Sequence, residues 1–361
     1  MADTPPELRL GTRGSQLALW QARAVATRLL ETGGHSCRIV VIKTSGDRLQ
    51  DAPLSEVGGK RLFVKEIEDA LLRDDIDLAV HSSKDMPAVL PRGLKIGATL
   101  PREDPLDAIV LPLSAETIRL KPDGTYGHDR NPERDSEVVS GFSRTVEFSR
   151  IIAALGESPT IGTSSVRRIA QLMRLLPRAT FMPIRGNLDT RLRKLDDGGT
   201  GKFDGFDAIV LAAAGLRRLG MASRISATLP PSACVPAPGQ GIVAIEIREH
   251  DATAGAAAEA IDEPQAHAAL DAERAVVEAL GGGCQTPIGV LASPLSNDEL
   301  ELVAVVVSLD GRRAIHGAGR GRWDEAAALG ARVGARLLAD GAGDILADAH
   351  RAQAAVQGIQ P

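Results

Sequence analysis

The run GGGCQTPIG, from Gly281 to Gly289, combines a thiol with unusual backbone freedom. Three glycines ahead of Cys284 remove every side chain that would crowd its sulfur, and glycine accepts positive φ, so a turn here can hold the thiol over a cavity. A thiol displayed in this way suits covalent attachment through its thiolate. The alternative is a flexible helix-to-strand connection with an incidental buried cysteine, since free Cys is among the most buried residue types. A second cluster is HSSKD, where Ser82, Ser83, Lys84 and Asp85 follow an apolar run that reads as a strand. Carboxyl ends of strands face the ligand crevice in open α/β sheets. A carboxylate beside Lys84 can stabilise a developing cation or carry a proton, or it can simply cap turn amides. The third pattern is a set of basic helix starts: Arg13 before Gly14-Ser15, Arg167 and Arg168 after Thr163-Ser164-Ser165, and Arg185 before Gly186 with Arg191 one turn on. Cations there oppose the helix dipole at a cost of up to about 1 kcal/mol, which a bound anion offsets. Guanidinium forks take carboxylates bidentately. One such cluster could be a solvated face; three beside glycines or serines suggest a groove for a polycarboxylate.

These residues need a scaffold, and the spacing of apolar residues supplies one. The pattern predicts a short strand at Leu8–Leu10 and a helix at Ser15–Thr32, whose Ala18, Ala22, Val25 and Leu29 share a face. A β-branched strand at Arg38–Thr44, a helix at Phe63–Arg73 and strands at Asp77–His81 and Leu94–Leu100 follow. A second such set runs through strand Thr160–Gly162, helix Val166–Leu176, strand Thr180–Pro183, helix Asp189–Leu195 and strand Ala208–Ala212. Strands alternating with helices imply mostly parallel sheets covered on both faces. The last hundred residues change character: helix Gln265–Leu280, strands Val290–Ala292, Glu301–Ser308 and Arg313–Gly319 with a turn at Asp310–Gly311, then helix Glu325–Leu338, a small α+β unit. Ser114–Ser158 contains KPDGTYGHDRNPERDSE, rich in charge, Gly and Pro, and reads as an exposed loop insertion.

Composition narrows the functions available. A chain of 361 residues predicts two or three domains. A formal net charge of −5 makes it a poor bulk nucleic-acid binder, and 2% aromatic residues argue against base-stacking platforms. Cys37, Cys234 and Cys284 are an odd number without a CxxC pair, which fits neither a disulfide framework nor a zinc site, and no metal is expected. The start, MADTPPELRLG, lacks the basic and apolar regions of a signal peptide, and no apolar run reaches membrane-spanning length. A cytoplasmic enzyme without nucleic-acid or membrane partners is the expectation.

RLGTRGSQLALWQ near the start, VHSSKDMP, TSSVRR, IRGNLDTRL and GGGCQTPIG together, in collinear order over nearly the whole chain, resemble the hydroxymethylbilane synthase (porphobilinogen deaminase) family. The resemblance implies two doubly wound, periplasmic-binding-protein-like α/β domains plus a small C-terminal α+β domain. The first would span residues 1–100 with a return segment at 236–258, the second 101–235 with the insertion at about 114–158, and the third 259–361. It implies a dipyrromethane cofactor joined to Cys284 by a thioether, onto which four porphobilinogen units are added before water releases the linear tetrapyrrole. Loss of ammonia from an aminomethylpyrrole gives an azafulvene electrophile, which a thiolate captures. Carried over residue by residue, Asp85 is the catalytic carboxylate. Ser82, Lys84, Asp85, Thr163, Ser164, Ser165, Arg167, Arg168, Arg185, Gly186, Arg191 and Gln240 are expected at the cofactor. Arg13, Ser15, Lys60, Phe63, Arg185, Arg191 and Arg218 are expected at the substrate. Glu56 stands where some members carry a second entrance lysine. A monomer is expected, and Cys37 and Cys234 are structural.

Two other classes remain compatible with the residues. A ligand-binding module of the two-domain periplasmic type would share the anion-binding helix starts, but leaves Gly-Gly-Gly-Cys unexplained. A thiol hydrolase using Cys284 needs a positioned histidine base, and the seven histidines lack a partner motif.

Overall fold

The computed structural model describes residues 5–45, 64–113, 147–198, 205–283 and 286–356. Local chemistry sets the first crossover. Ser15 caps the helix Gln16–Gly33 by accepting the Ala18 N–H, and Gly34, in the left-handed region at φ 70°, ends it with its own N–H on Leu30 O. The buried face of this helix, with Ala18, Ala22, Val25 and Leu29, covers a five-stranded sheet. That sheet runs β2 (Cys37–Val41), β1 (Leu8–Thr12), β3 (Leu78–Ser82), β10 (Val243–Arg248), β4 (Leu94–Thr99). β1 pairs in parallel with β2 and β3, while β10 is antiparallel to both neighbours.

A second five-stranded sheet repeats this plan in the order β7 (Thr180–Met182), β6 (Thr160–Gly162), β8 (Ala208–Ala212), β5 (Asp107–Val110), β9 (Ala227–Leu229). Here β5 is the antiparallel strand. In each sheet the antiparallel strand comes from beyond a crossing between the sheets. The chain leaves β4, crosses through 100–106 and enters β5; it leaves β9, crosses through 230–242 and enters β10. Register places both crossings at the carboxyl edges of the parallel strands, since Asp107 pairs with Ala212 at the end of β8 and Val243 with Ser82 at the end of β3. Those edges are where ligands bind in open α/β sheets.

The third unit is an antiparallel sheet of β11 (Ile288–Pro294), β12 (Glu299–Val307) and β13 (Ala314–Arg322). Helices Pro264–Ala279, Ala326–Ala339 and Ala342–Val356 pack with it around one core. Its β12–β13 turn reaches the second sheet's helix Val166–Leu175, where Arg174 donates to Gly311 O at 2.9 Å, and Ala170, Val235, Leu291 and Val305 share a small core. Among the described residues no helix is long and apolar enough to cross a membrane.

The expected loop at 114–158 is corrected at its end. Residues 147–154 are helical, and Phe148, Ile151, Ile152 and Leu155 pack on the second sheet's core. These four recur at i, i+3, i+4 and i+7, a helical spacing masked by the charged stretch before it. Residues 114–146, including KPDGTYGHDRNPERDSE, lie outside the described residues. The short antiparallel strands β5 and β9 and the helix Ala213–Arg218 also went unread; at three to six residues they are too brief for a periodicity to show.

Candidate functional site

The two carboxyl edges each contribute one loop. After β3 the chain turns through Ser83–Asp85, a single 3-10 turn that places Lys84 and Asp85 at the edge, both partly buried. After β6, Ser165 caps the helix Val166–Leu175 by accepting the Arg168 N–H, Thr163 Oγ1 accepts the Ser165 N–H at 3.2 Å, and the Ser164 hydroxyl donates to Ile184 O at 2.9 Å. The serines and Thr163 therefore shape the loop with their side chains.

Arg167 and Arg168 are only 4% and 6% exposed. Both converge on Asp107, which has no exposure at all. Arg167 Nη1 lies 2.7 Å from Asp107 Oδ2, and Arg168 places Nε and Nη2 at 3.0 and 2.7 Å from Oδ1. Burial opposes charge on Asp107, but the two guanidiniums outweigh it and hold the carboxyl well below the usual carboxylate range. The pair of arginines expected at the cofactor thus spends several donors on a buried carboxylate. What remains is specific: Arg167 Nε has no hydrogen-bond partner among the described residues. Cys234 completes the cluster, its thiol donating to Asp107 at 3.4 Å, with burial pushing it up to about 12 and so keeping it protonated and inert. Cys37 sits in β2, where burial raises it to about 11.

Lys84 faces the same cluster across the crossing. Burial lowers its pKa to about 8, Asp85 opposes the shift, and Arg168 adds to it. Arg191, whose Nε donates to Gly186 O at 2.8 Å, is lowered to about 10 by burial and by Arg168, again opposed by Asp85, with Arg185 adding. These mutual influences place Lys84 and Asp85 of the first sheet together with Arg168, Arg185 and Arg191 of the second. Among the described residues, five cations, counting Arg167, face two carboxylates, Asp85 and Asp107. Such a surplus in a desolvated cleft favours an anionic ligand.

Other expected residues are placed differently. Gln240 is 1% exposed, its amide donating to Pro105 O and Asp107 and accepting from Lys84 Nζ at 3.5 Å. Ser82 exchanges hydrogen bonds with Gln21. Ser15 is a helix cap, and Arg13 lies just before it at the end of β1. Arg218 spans the two sheets' units, donating to Gly241 O at 2.7 Å and lying 5.6 Å over the Trp20 ring; burial lowers it to about 10, opposed by Glu103. Lys60, Phe63, Glu56 and Cys284 lie outside the described residues. On the flanks of Cys284, the Gly283 carbonyl accepts both the N–H and the hydroxyl of Thr286, at 3.1 and 2.6 Å. Among the described residues no group of three His, Cys, Asp or Glu is placed to hold a metal.

Three functional neighbours were missed in the sequence. Besides Asp107, Glu273 and Arg102 tie the third unit to the crossings. Glu273 is fully buried and takes the Arg102 fork at 2.6 and 3.3 Å together with the N–H groups of Gly239 and Ala292 at 2.5 and 2.8 Å. A signal existed: Glu273 interrupts the apolar stripe of Ala266, Ala269, Leu270, Val276 and Val277 on its helix. A lone carboxylate on a buried stripe requires a buried partner.

Comparison with known proteins identifies the family. Residues 8–256 match the family model "Porphobilinogen deaminase, dipyromethane cofactor binding domain", and residues 268–339 match the "Porphobilinogen deaminase, C-terminal domain". The porphobilinogen deaminase of Geobacter metallireducens is 41% identical over 352 residues, covering 97% of each chain. That of Moorella thermoacetica is 40% identical over 353 residues, covering 98% of this chain and 99% of the other. Among solved structures, the methionine-binding protein MetQ aligns over 73% of this chain and 90% of its own, at 10% identity and a TM-score of 0.37, too distant to bear on the site. With both family models matched in order and about two-fifths identity over nearly the full length, the chain belongs to the porphobilinogen deaminase family.

Proposed function

We propose that this chain joins four porphobilinogen units onto a dipyrromethane held by Cys284 and releases the linear tetrapyrrole by hydrolysis, with Asp85 as the catalytic carboxylate. The observation that carries the residue assignment is the cluster in which Asp85 shares one desolvated edge with Lys84, Arg168, Arg185 and Arg191. The residues fit the cofactor, whose acetate and propionate groups are anions. Among the described residues the cluster has a surplus of cations, and Arg167 keeps a buried Nε without a partner. When attached, the dipyrromethane would supply the terminal pyrrole carbon to which the first unit is joined, each later unit being joined to the one before it.

The chain's own groups then divide the work. Arg167, Arg168 and Lys84, with Thr163, Ser164 and Ser165 shaping their loop, hold the cofactor's carboxylates. Arg185 and Arg191 serve cofactor and incoming unit, beside Gly186. Arg13, Ser15 and Arg218, with Lys60 and Phe63, meet the incoming porphobilinogen. Asp85 stabilises the positive charge that develops on a pyrrole nitrogen as ammonia leaves, and accepts the proton lost when the new bond forms. Exclusion of water from this edge strengthens each of these interactions. The enzyme acts in the cytoplasm, as a monomer and without a metal.

Asp85→Asn preserves shape and removes charge. Turnover drops by roughly 100-fold or more, the scale of losing one preorganised electrostatic partner, while the intact mass still carries the cofactor. Near-parental turnover in the cofactor-bearing variant rejects the assignment.

A further inference from the structure

Asp107 and Gln240 make a continuous polar connection between the two halves of the site. Asp107 opens β5 immediately after one crossing, and Gln240 lies in the other. The Asp107 carboxylate receives Arg167, Arg168, Gln240 and Cys234, which fills the roughly four acceptor positions a carboxylate offers. It has no capacity left for a ligand. Gln240 Nε2 spends both hydrogens, on Pro105 O at 2.7 Å and on Asp107 Oδ1 at 3.0 Å. That pattern fixes the amide's orientation, so Oε1 is left towards Lys84 Nζ. The backbone pins Gln240 from both sides. Gly239 and Gly241 have φ of 70° and 88°; a Cβ on the first would come within 2.4 Å of Ser83 Oγ, and on the second within 2.2 Å of Glu103 O. Only glycine permits that approach. Gln240 is thereby wedged between the Ser83–Asp85 turn and the exit of the first crossing.

We propose that Asp107 and Gln240 are positioning residues that couple the Arg167–Arg168 pair of the second sheet to Lys84 of the first, so that donors on both sides of the cleft keep one spacing. The inference rests on the site reading above and gives a positioning role to Asp107, which that reading does not include, and to Gln240, which was expected at the cofactor. Asp107 acts by turning the arginines: Arg168 gives Nε and Nη2 to Asp107 and Nη1 to Val210 O at 2.7 Å, which leaves the second hydrogen of each terminal nitrogen for a ligand. Gln240 acts by fixing the position of the Lys84 ammonium. Loss of the Asp107 charge frees the Gln240 amide to rotate, and the change is felt at Lys84 although Asp107 has no hydrogen bond to it.

The test is a double-mutant cycle in holoenzyme whose cofactor load is verified by intact mass. Asp107→Asn and Lys84→Gln are measured singly and together for kcat/KM with porphobilinogen. Each single change lowers it by tenfold or more, and the double variant loses at least threefold less than the product of the two, beyond the scatter of independent sites. Asp107→Glu, which keeps the charge, recovers part of the loss. Should Asp107→Asn not fold or load, Gln240→Met, which keeps the volume and leaves the Asp107–arginine pairs intact, replaces it in the cycle and gives the same non-additivity. Losses that simply multiply overturn the coupling while leaving the site reading in place. Parental activity in Lys84→Gln overturns the site reading and the coupling with it.

Discussion

Removing the charge of Glu273 tests whether the third unit is anchored to the crossings electrostatically. Each Glu273 oxygen accepts two donors: Oε1 takes Arg102 Nη1 and the Ala292 N–H, Oε2 takes Arg102 Nη2 and the Gly239 N–H. Glu273→Gln keeps the volume, but an amide has one accepting end. Its NH2 must face two donors, and Arg102, whose side chain is only 12% exposed, keeps an uncompensated charge. Breaking a buried pair in this way costs about 3–5 kcal/mol. On domains of this size that corresponds to a fall in melting temperature of roughly 10–25 °C. Circular dichroism on heating measures it, with Arg320→Ala as the control. The Arg320–Glu301 pair is exposed at 68% and 42%, so solvent screens it and its loss leaves the melting temperature almost unchanged. Arg102→Met in the Glu273→Gln background recovers part of the loss, because the stranded charge disappears. Equal, small shifts for Glu273→Gln and Arg320→Ala refute the reasoning.

Two predictions concern pH. Lys84 is lowered to about 8 by burial, then by Arg168 against Asp85, so its charge is present below that pH and lost above it. A bound carboxylate raises this value, and turnover therefore falls on the alkaline side at about pH 8 or higher. Lys84→Arg stays protonated, and in whatever activity it retains the alkaline limb moves upward; an unmoved limb excludes Lys84 as the titrating group. His267 is raised by its hydrogen bond to Asp262, 2.8 Å away, and Asp262 is lowered because that bond and the Thr99 N–H outweigh burial. The histidine's contribution to stability is complete below its ordinary value of about 6.5 and fades as pH rises through its folded pKa; the aspartate's is present above about 3.9 and fades as pH falls. His267→Gln therefore lowers the melting temperature more at about pH 5.5 than at about pH 8.5. The same offset at both values contradicts the pairing.

The sequence made the crossover helices and long strands readable because their buried faces repeat: Ala18, Ala22, Val25 and Leu29 mark a face whatever covers it. It also made Lys84, Asp85 and the arginine helix starts readable, because chemistry and turn residues coincide there. What it hid was pairing between distant segments. Nothing in PLDAIV announces that Asp107 neutralises two arginines sixty residues on, and nothing in PGQG announces that Gln240 spans the cleft. For the same reason Arg167 and Arg168 read as free forks, whereas the fold assigns several of their donors to Asp107. Partners fixed only by a crossing between sheets leave no local period.

The central claim is covalent, and intact-protein mass measures it. Purified parent protein is expected to exceed its sequence mass by one two-pyrrole unit, as are Cys37→Ser and Cys234→Ser, whose thiols are held protonated. Cys284→Ser is expected at its bare sequence mass and without tetrapyrrole synthesis. A fully active parent at the bare sequence mass, or a Cys284→Ser protein that keeps the adduct, contradicts the account.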